Sequence, residues 1–226
     1  MSATVKDVMT TRVVIVNKNV SFKVLAAGLK RHHISAFPVV DDDRKVIGVV
    51  SEADLLAKEA LIAGDGLKPG LRHRKDRSKA AGLKAGDLMT APPVMIYPDE
   101  PVALAARLMY TFKVKRLPVV DTDNHIVGIV SRSDVLSVYD RPDADIRREI
   151  MDTVILEKAV TDPGRFMVIV NEGVVTLDGH PETTSNGHAI VTDTWHVDGV
   201  VSVRDRLVYP PAVQADSACP LFTDDL

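Results

Sequence analysis

Phe37-Pro38-Val39-Val40-Asp41 and Gly48-Val49-Val50-Ser51-Glu52-Ala53-Asp54 decide how this chain is read, because both return after an offset of 80 residues. Leu117-Pro118-Val119-Val120-Asp121 answers the first stretch and Gly128-Ile129-Val130-Ser131-Arg132-Ser133-Asp134 the second. Upstream, Asp7-Val8-Met9-Thr10 meets Asp87-Leu88-Met89-Thr90 in the same frame. The alignment of 5–56 with 85–136 needs no gap, and 15 of 52 pairs are identical. The chain therefore contains a duplicated unit.

Each unit reads as short strand, helix, two strands, helix. Val13-Val14-Ile15-Val16 is a β-branched run suited to a buried strand. Val20, Val24, Leu25 and Leu29 then recur at helical spacing and predict one apolar face. Val39-Val40 and Val46 to Val50 are two strands joined by the polar turn Asp41-Asp42-Asp43-Arg44-Lys45. Pro38 and Pro118 sit where a strand begins, a position that tolerates a residue without an N–H. A unit of about 55 residues has a marginal core by itself, so the two copies are expected to pack on each other.

The Gly-x-x-Ser-x-x-Asp element opens the last helix of each unit and has two readings. In one it is a capping box: Ser51 or Ser131 bonds a backbone N–H, and Asp54 or Asp134 reaches back. In the other, the strand-to-helix turn with its free N–H groups receives a phosphate. The serine hydroxyl then contacts the phosphate, and the carboxylate accepts hydrogen bonds from both hydroxyls of a ribose.

With these motifs in hand, residues 5–140 resemble a tandem pair of CBS (cystathionine-β-synthase-type) domains, a Bateman module. The resemblance rests on Asp-hydrophobic-Met-Thr, hydrophobic-Pro-Val-Val-Asp and Gly-hydrophobic-hydrophobic-Ser-x-x-Asp, each present twice. It implies a pseudo-two-fold pair with clefts that take adenosine-containing ligands: AMP, ADP, ATP or S-adenosylmethionine. The family's ribose-binding acid maps onto Asp54 and Asp134, and its hydroxyl onto Ser51 and Ser131. Its adenine contacts map onto Ile34-Ser35-Ala36 and Val114-Lys115-Arg116, with Val14 and Val94 nearby. Lys115-Arg116 stand where the first copy has Ser35-Ala36, and Arg132 where it has Glu52, so the clefts are expected to differ toward phosphate. The resemblance also implies a homodimer through the CBS modules.

After Pro142 the pattern changes. Ile146, Ile150 and Val154 recur every four residues, with Met151 and Ile155 widening the face. Phe166-Met167-Val168-Ile169-Val170 reads as a strand, Asn171-Glu172-Gly173 as a tight turn, and Val174-Val175-Thr176-Leu177 as the returning strand. A helix with Ile190, Val191 and Trp195 and a last strand from Asp198 to Val203 complete the order helix, strand, strand, helix, strand. Trp195 is expected in the core. The segment 143–209 resembles a BON domain through Asp-x-x-Ile-x-x-x-Ile, Val-x-Val-x-x-Gly-Val-Val-Thr-Leu-x-Gly and Gly-Val-Val-x-Val-x-x-x-Leu. The resemblance implies contact with a protein or a membrane rather than catalysis.

The expected fold class is thus α/β (α+β): two βαββα CBS repeats plus a small αββαβ BON domain. The boundaries are 1–62 for the first repeat, 63–84 for a basic linker, 85–141 for the second repeat, 142–209 for the BON domain and 210–226 for a disordered tail.

Charge follows these boundaries. The chain holds 28 Lys/Arg and 31 Asp/Glu, a net charge of −3. Residues 57–84 carry 8 basic against 3 acidic residues, and 143–209 carry 6 against 12. The linker Leu67 to Lys79 is a solvated connector or, alternatively, a basic arm for nucleic acid, although it lacks an aromatic residue to stack on bases. The acidic third module disfavours anionic bilayers, so a protein partner of unknown identity ranks before lipid.

A single cysteine, Cys219, excludes a disulfide scaffold. Met1 to Thr10 lacks the apolar stretch of a signal peptide, and a cytoplasmic location is expected. Gly-x-Ser-x-Gly, a Walker loop and His-Glu-x-x-His are all absent, and His32-His33 point about 100° apart on a helix. No catalytic residue, metal ligand or catalytic cofactor is expected. The function so read is a regulatory sensor that couples an adenosine-containing ligand to the BON domain. The alternative is an interaction protein whose clefts bind nothing.

Overall fold

The computed structural model describes residues 3–63, 82–158 and 162–211. Most of the expected basic linker (64–81), most of the expected tail (212–226) and Cys219 lie outside these residues. The chain divides into two compact units, Ser2–Ser137 and a second from Val138 onward. No helix among the described residues is long and apolar enough to cross a membrane.

In the first unit each repeat contributes a hairpin. Strands β1 (Val16–Asn17), β2 (Ala36–Val40) and β3 (Val46–Ser51) form one sheet, with β1 parallel and β3 antiparallel to β2. Strands β4 (Arg116–Val120) and β5 (Ile126–Ser131) pair antiparallel in the second repeat. The turns are built alike. One oxygen of Asp41 accepts the amides of Asp43 and Lys45, and one of Asp121 accepts those of Asp123 and His125, all within 3.0 Å. Arg44 and Asn124 take the left-handed conformation that closes each turn. The repeated Val-Val-Asp is therefore a turn staple.

The expected strand over Val13 to Val16 shrinks to Val16–Asn17, and its counterpart is a single parallel bridge, Ile96 to Val119. Val14 still packs against the core of the first repeat. Helix α2 (Phe22–His32) buries Leu25 and Leu29, one turn apart, but Val24 is exposed. One residue before Leu25 it is rotated about 100° toward solvent, so it leaves the apolar face the sequence assigned to it.

The two copies exchange their opening segments. The helical turn α1 (Val5–Val8) leads to Thr10, which pairs with Ile129 of β5 through two hydrogen bonds of 2.9 Å. The turn α4 (Ala85–Leu88) leads to Thr90, which pairs in the same way with Val49 of β3. Met9 consequently lies over Gly128 and Met89 over Gly48. Ala85 and Leu88 join the core of Leu25, Leu29, Phe37, Val39, Val50 and Leu55. A fully buried leucine is worth about 1.5–3 kcal/mol of transfer free energy, and Leu88 delivers it to the other repeat's core. Residues 82–84 also belong to this arrangement, since Phe22 N–H bonds the Leu83 carbonyl and Ser21 bridges Lys84. Helices α3 (Glu52–Ala63), α5 (Val102–Phe112) and α6 (Arg132–Leu136) complete the unit.

The second unit follows the expected order. Helix α7 (Asp143–Glu149) continues as a π-helical stretch, Ile150–Ile155, and a last turn, Leu156–Lys158. Strand β6 (Phe166–Asn171) turns through Glu172 and Gly173, both at positive φ, into β7 (Val174–Gly179). Strand β8 (Ser202–Leu207) pairs parallel with β7. The Asp143 carboxylate accepts the Glu172 and Gly173 amides at 2.7 and 2.9 Å and so ties the turn to the start of α7.

Ile146, Ile150, Val154, Ile155, Val168, Val175, Leu177 and Ile190 form the core. Trp195, expected there, is 49% exposed at the end of helix α8 (Thr184–Trp195). Thr194, four residues after Ile190, takes the buried position instead and bonds the Ile190 carbonyl through its hydroxyl.

Candidate functional site

A cavity of about 370 Å³ opens between the two repeats of the first unit. Ser35 and Ala36 from the start of β2, and Ser51, Glu52 and Asp54 from the turn into α3, form one side. Thr90, Pro92, Pro93 and Val94, with Phe112 to Arg116, form the other. The exchange of opening segments is what carries Thr90 and Val94 to the side of Asp54.

Ser51 closes the turn on Asp54. Its amide and hydroxyl donate to one carboxylate oxygen at 2.9 and 2.7 Å. The second copy repeats this, with Ser131 amide and hydroxyl to Asp134 at 2.7 and 2.6 Å, and the Asp134 amide reaches Ser131 Oγ at 3.5 Å. The reciprocal capping box is complete in the second repeat, whereas in the first the Ser51-to-Asp54 half is in place; in each repeat the serine engages one of the two carboxylate oxygens. A carboxylate held this way is pre-oriented, and a syn or anti lone pair of a single oxygen still accepts more than one donor. Cap and ligand acceptor are compatible roles.

Among the lining cations, Lys113 and Lys115 are exposed, and Lys113 lies 4.1 Å from the centre of the Tyr110 ring. Arg116 is half-buried. Its Nη2 donates to Ser35 Oγ at 2.6 Å, while its Nε is buried without a hydrogen-bond partner. Burial pulls the guanidinium below its ordinary pKa, opposed by the negative charges of Asp134 and Glu52.

The cavity thus gathers Asp54, Ser51, Ser35, Ala36, Val94, Val114, Lys115 and Arg116 out of the residues singled out in the sequence. It does not include Asp134, Ser131, Arg132, Ile34 or Val14. Val14 and Ile34 pack against the hydrophobic core of the first repeat. The Arg132 guanidinium donates through Nε and Nη2 to the Val114 carbonyl at 3.2 and 3.0 Å, which fastens the loop before β4.

Sequence reasoning missed Thr90, Pro92, Pro93 and Phe112 as lining residues. The 80-residue offset of Thr10 and Thr90 was visible, but not that each threonine serves the other repeat's sheet. It also named no metal ligands, whereas Asp121, Asp123 and His125 bring one ligand atom each within 4.8 Å of one another. In this group one Asp121 oxygen already holds the turn amides.

The sequence matches the CBS domain family over 5–60 and 85–141, and the BON domain family over 142–211. The chain is 36% identical over 121 residues to the CBS domain-containing protein CBSX1, chloroplastic, of Arabidopsis thaliana, which is 48% of this chain. It spans 51%, about half, of that relative's length. Among solved structures, CBSX2 in complex with AMP superposes with a TM-score of 0.52 at 36% identity, over 59% of this chain and 94% of that one. The CBS domain pair of protein MJ0100, in complex with 5-methylthioadenosine and S-adenosyl-L-methionine, gives a TM-score of 0.50 at 25% identity over 61% and 99%.

Proposed function

Because the chain belongs to the CBS-domain family, with a BON domain following its tandem CBS pair, we propose that it is a regulatory protein whose CBS pair binds an adenine nucleotide. The observation that carries this reading is the make-up of the cavity. It is of a size that encloses a small ligand, and its lining combines a pre-oriented carboxylate and serine with the cations Lys113, Lys115 and Arg116. Asp54 and Ser51 take the ribose hydroxyls, Val94, Val114 and Ala36 flank the base, and Lys115 and Arg116 face the phosphate. Asp134 and Ser131 have the same role at a second, pseudo-equivalent position.

Relatives support two ligand classes, AMP in CBSX2 and S-adenosyl-L-methionine in MJ0100. Charge favours the first. Lys113, Lys115 and Arg116 outnumber Glu52 and Asp54 around the cavity. A phosphate meets that excess favourably, whereas a sulfonium adds another cation. Calorimetric titration of the full chain with AMP, ATP and S-adenosylmethionine tests this. AMP is expected to bind at least about tenfold more tightly than S-adenosylmethionine, a difference of about 1.4 kcal/mol. The reverse order overturns the charge argument, and no heat with any of them overturns the nucleotide reading.

The BON domain is proposed to contact a protein partner, with nucleotide binding changing how it is presented. That coupling requires the ligand to bind two arrangements with different affinity. A homodimer through the CBS pair fits the equivalent residues Leu56 and Leu136, whose side chains are 66% and 61% exposed on α3 and α6. A cytoplasmic setting suits a sensor of this ligand class. No catalytic step is assigned to it.

A further inference from the structure

Arg116 belongs to two places at once. Its backbone opens β4, where the register pairs it with Ser131, the serine whose amide and hydroxyl hold Asp134. Its side chain reaches the other way, to Ser35 Oγ at 2.6 Å, and both residues line the cavity that contains Asp54. Its Nε is buried and unpaired. A buried charged donor left without a partner is unfavourable, so the guanidinium has a hydrogen bond still to gain. In the first repeat the equivalent position is Ala36, paired with Ser51, which carries no group able to cross. The duplicated unit therefore has one shared cation where its pseudo-symmetry would have two or none.

We propose that Arg116 is a phosphate-binding residue shared between the two ligand positions, so that the phosphate of a nucleotide whose ribose Asp54 holds and the phosphate of one whose ribose Asp134 holds compete for the same guanidinium. The inference rests on the nucleotide reading above and deepens it. The phosphate of the nucleotide at the first position takes Nη2 from Ser35 and supplies the acceptor that Nε lacks. The same guanidinium is then unavailable to an anion at the Asp134 position, which binds more weakly. By linkage the effect is reciprocal. Adenosine has no phosphate and does not engage the device.

The test is calorimetric titration of the full-length protein with AMP and with adenosine, for the natural chain and for Asp54→Ala, Arg116→Ala and Arg116→Gln, with circular dichroism to verify folding. The glutamine variant keeps most of the side chain's bulk if alanine compromises the fold. For the natural chain two AMP steps separated by about tenfold or more are expected. Asp54→Ala, which weakens AMP at the first position so that the other fills before it, should tighten the AMP step at that other position several-fold, and this gain should vanish when either Arg116 substitution is added. The adenosine steps should show no such gain. A single AMP step per chain that becomes two with adenosine also supports the proposal, as the limit of strong competition.

Two AMP steps that are unaffected by Asp54→Ala, or a gain that persists without Arg116, overturn it while leaving nucleotide binding intact. A single step with both ligands does the same. No AMP heat in the natural chain removes the nucleotide reading itself, and this inference with it.

Discussion

A methyl group added to Gly128 tests the exchange of segments between repeats at one atom. A Cβ built there lies 2.4 Å from Met9 Sδ, 3.1 Å from Met9 Cγ and 3.3 Å from the Thr10 carbonyl oxygen. Carbon and sulfur are comfortable only at roughly 3.5–4 Å, so the methionine must move by more than about 1 Å. The Thr10 backbone beside it is fixed by two hydrogen bonds to Ile129, so the adjustment falls on the partly buried Met9 side chain. Overpacking of this kind costs about 1–3 kcal/mol, against a gain of about 0.4–1 kcal/mol from restricting the unfolded chain. Gly128→Ala is therefore expected to destabilise the first unit by about 1–2 kcal/mol.

Trp195 is the single tryptophan and lies in the second unit, so its fluorescence follows that unit while far-UV circular dichroism follows both. In urea, the dichroism transition should shift to lower denaturant with the Trp195 transition in place. Met9→Ala in the same chain makes space for the new methyl. The double variant should lose less than the sum of the single ones, by a coupling energy of about 0.5–3 kcal/mol. Simple additivity, or a shift confined to the Trp195 transition, would refute the reasoning that Met9 of one repeat packs on the sheet of the other.

Three further outcomes follow from the geometry. Asp143→Ala leaves the Glu172 and Gly173 amides without their carboxylate and should lower the stability of the second unit by about 2–3 kcal/mol, read from the Trp195 midpoint; an unchanged midpoint contradicts the staple. The Asp121 carboxyl is held below its ordinary value of 3.8, chiefly by the His125 amide. Its stabilising contribution is complete above that value and is lost as pH falls through the lower folded-state value, so Asp121→Asn should flatten the acid limb of the stability curve rather than steepen it. Burial and the hydrogen bond to Asp205 push the Tyr209 phenol up to about 12. Its contribution is complete below the ordinary value of 10.0 and is lost as pH rises toward about 12. Of the four tyrosines, one should titrate late by ultraviolet absorbance in the natural chain and be missing in Tyr209→Phe.

Much of this was legible because the repeat is gapless. Val39-Val40-Asp41 and its copy predicted strand and turn together, whereas Pro38 and Pro118, expected to open a strand, are the third residues of β2 and β4; both hairpins shift register at the same place, Val39/Val40 and Val119/Val120. The second unit was read in its correct order because the apolar runs are short and Gly173 marks the hairpin turn, although β8 begins at Ser202, four residues after the expected Asp198.

What escaped the sequence was partnership. Periodicity says which face of an element is apolar, not which sheet it will join, so the crossing of Thr10 to Ile129 and of Thr90 to Val49 had no local signal. The same limit placed Trp195 one residue off the buried face that Thr194 occupies. At the site, the Ser-x-x-Asp motif was readable as cap or as ligand acceptor. The structure ties serine to aspartate in both copies and completes the box in the second, and only the first copy's carboxylate lies in the described cavity. Val14, Ile34 and Arg132 turn to packing and to a backbone carbonyl because their environment is set by chain segments distant in sequence.

The claim at the centre of this account is that Asp54 receives a nucleotide's ribose in the cavity between the repeats. The equilibrium affinity of AMP for the full chain and for Asp54→Ala measures it most directly. Each hydrogen bond to a charged acceptor is worth about 1.5–3 kcal/mol, so loss of even one should weaken AMP binding at that position by at least about tenfold, with the fold intact by circular dichroism. Affinities at that position that agree within about twofold would contradict it.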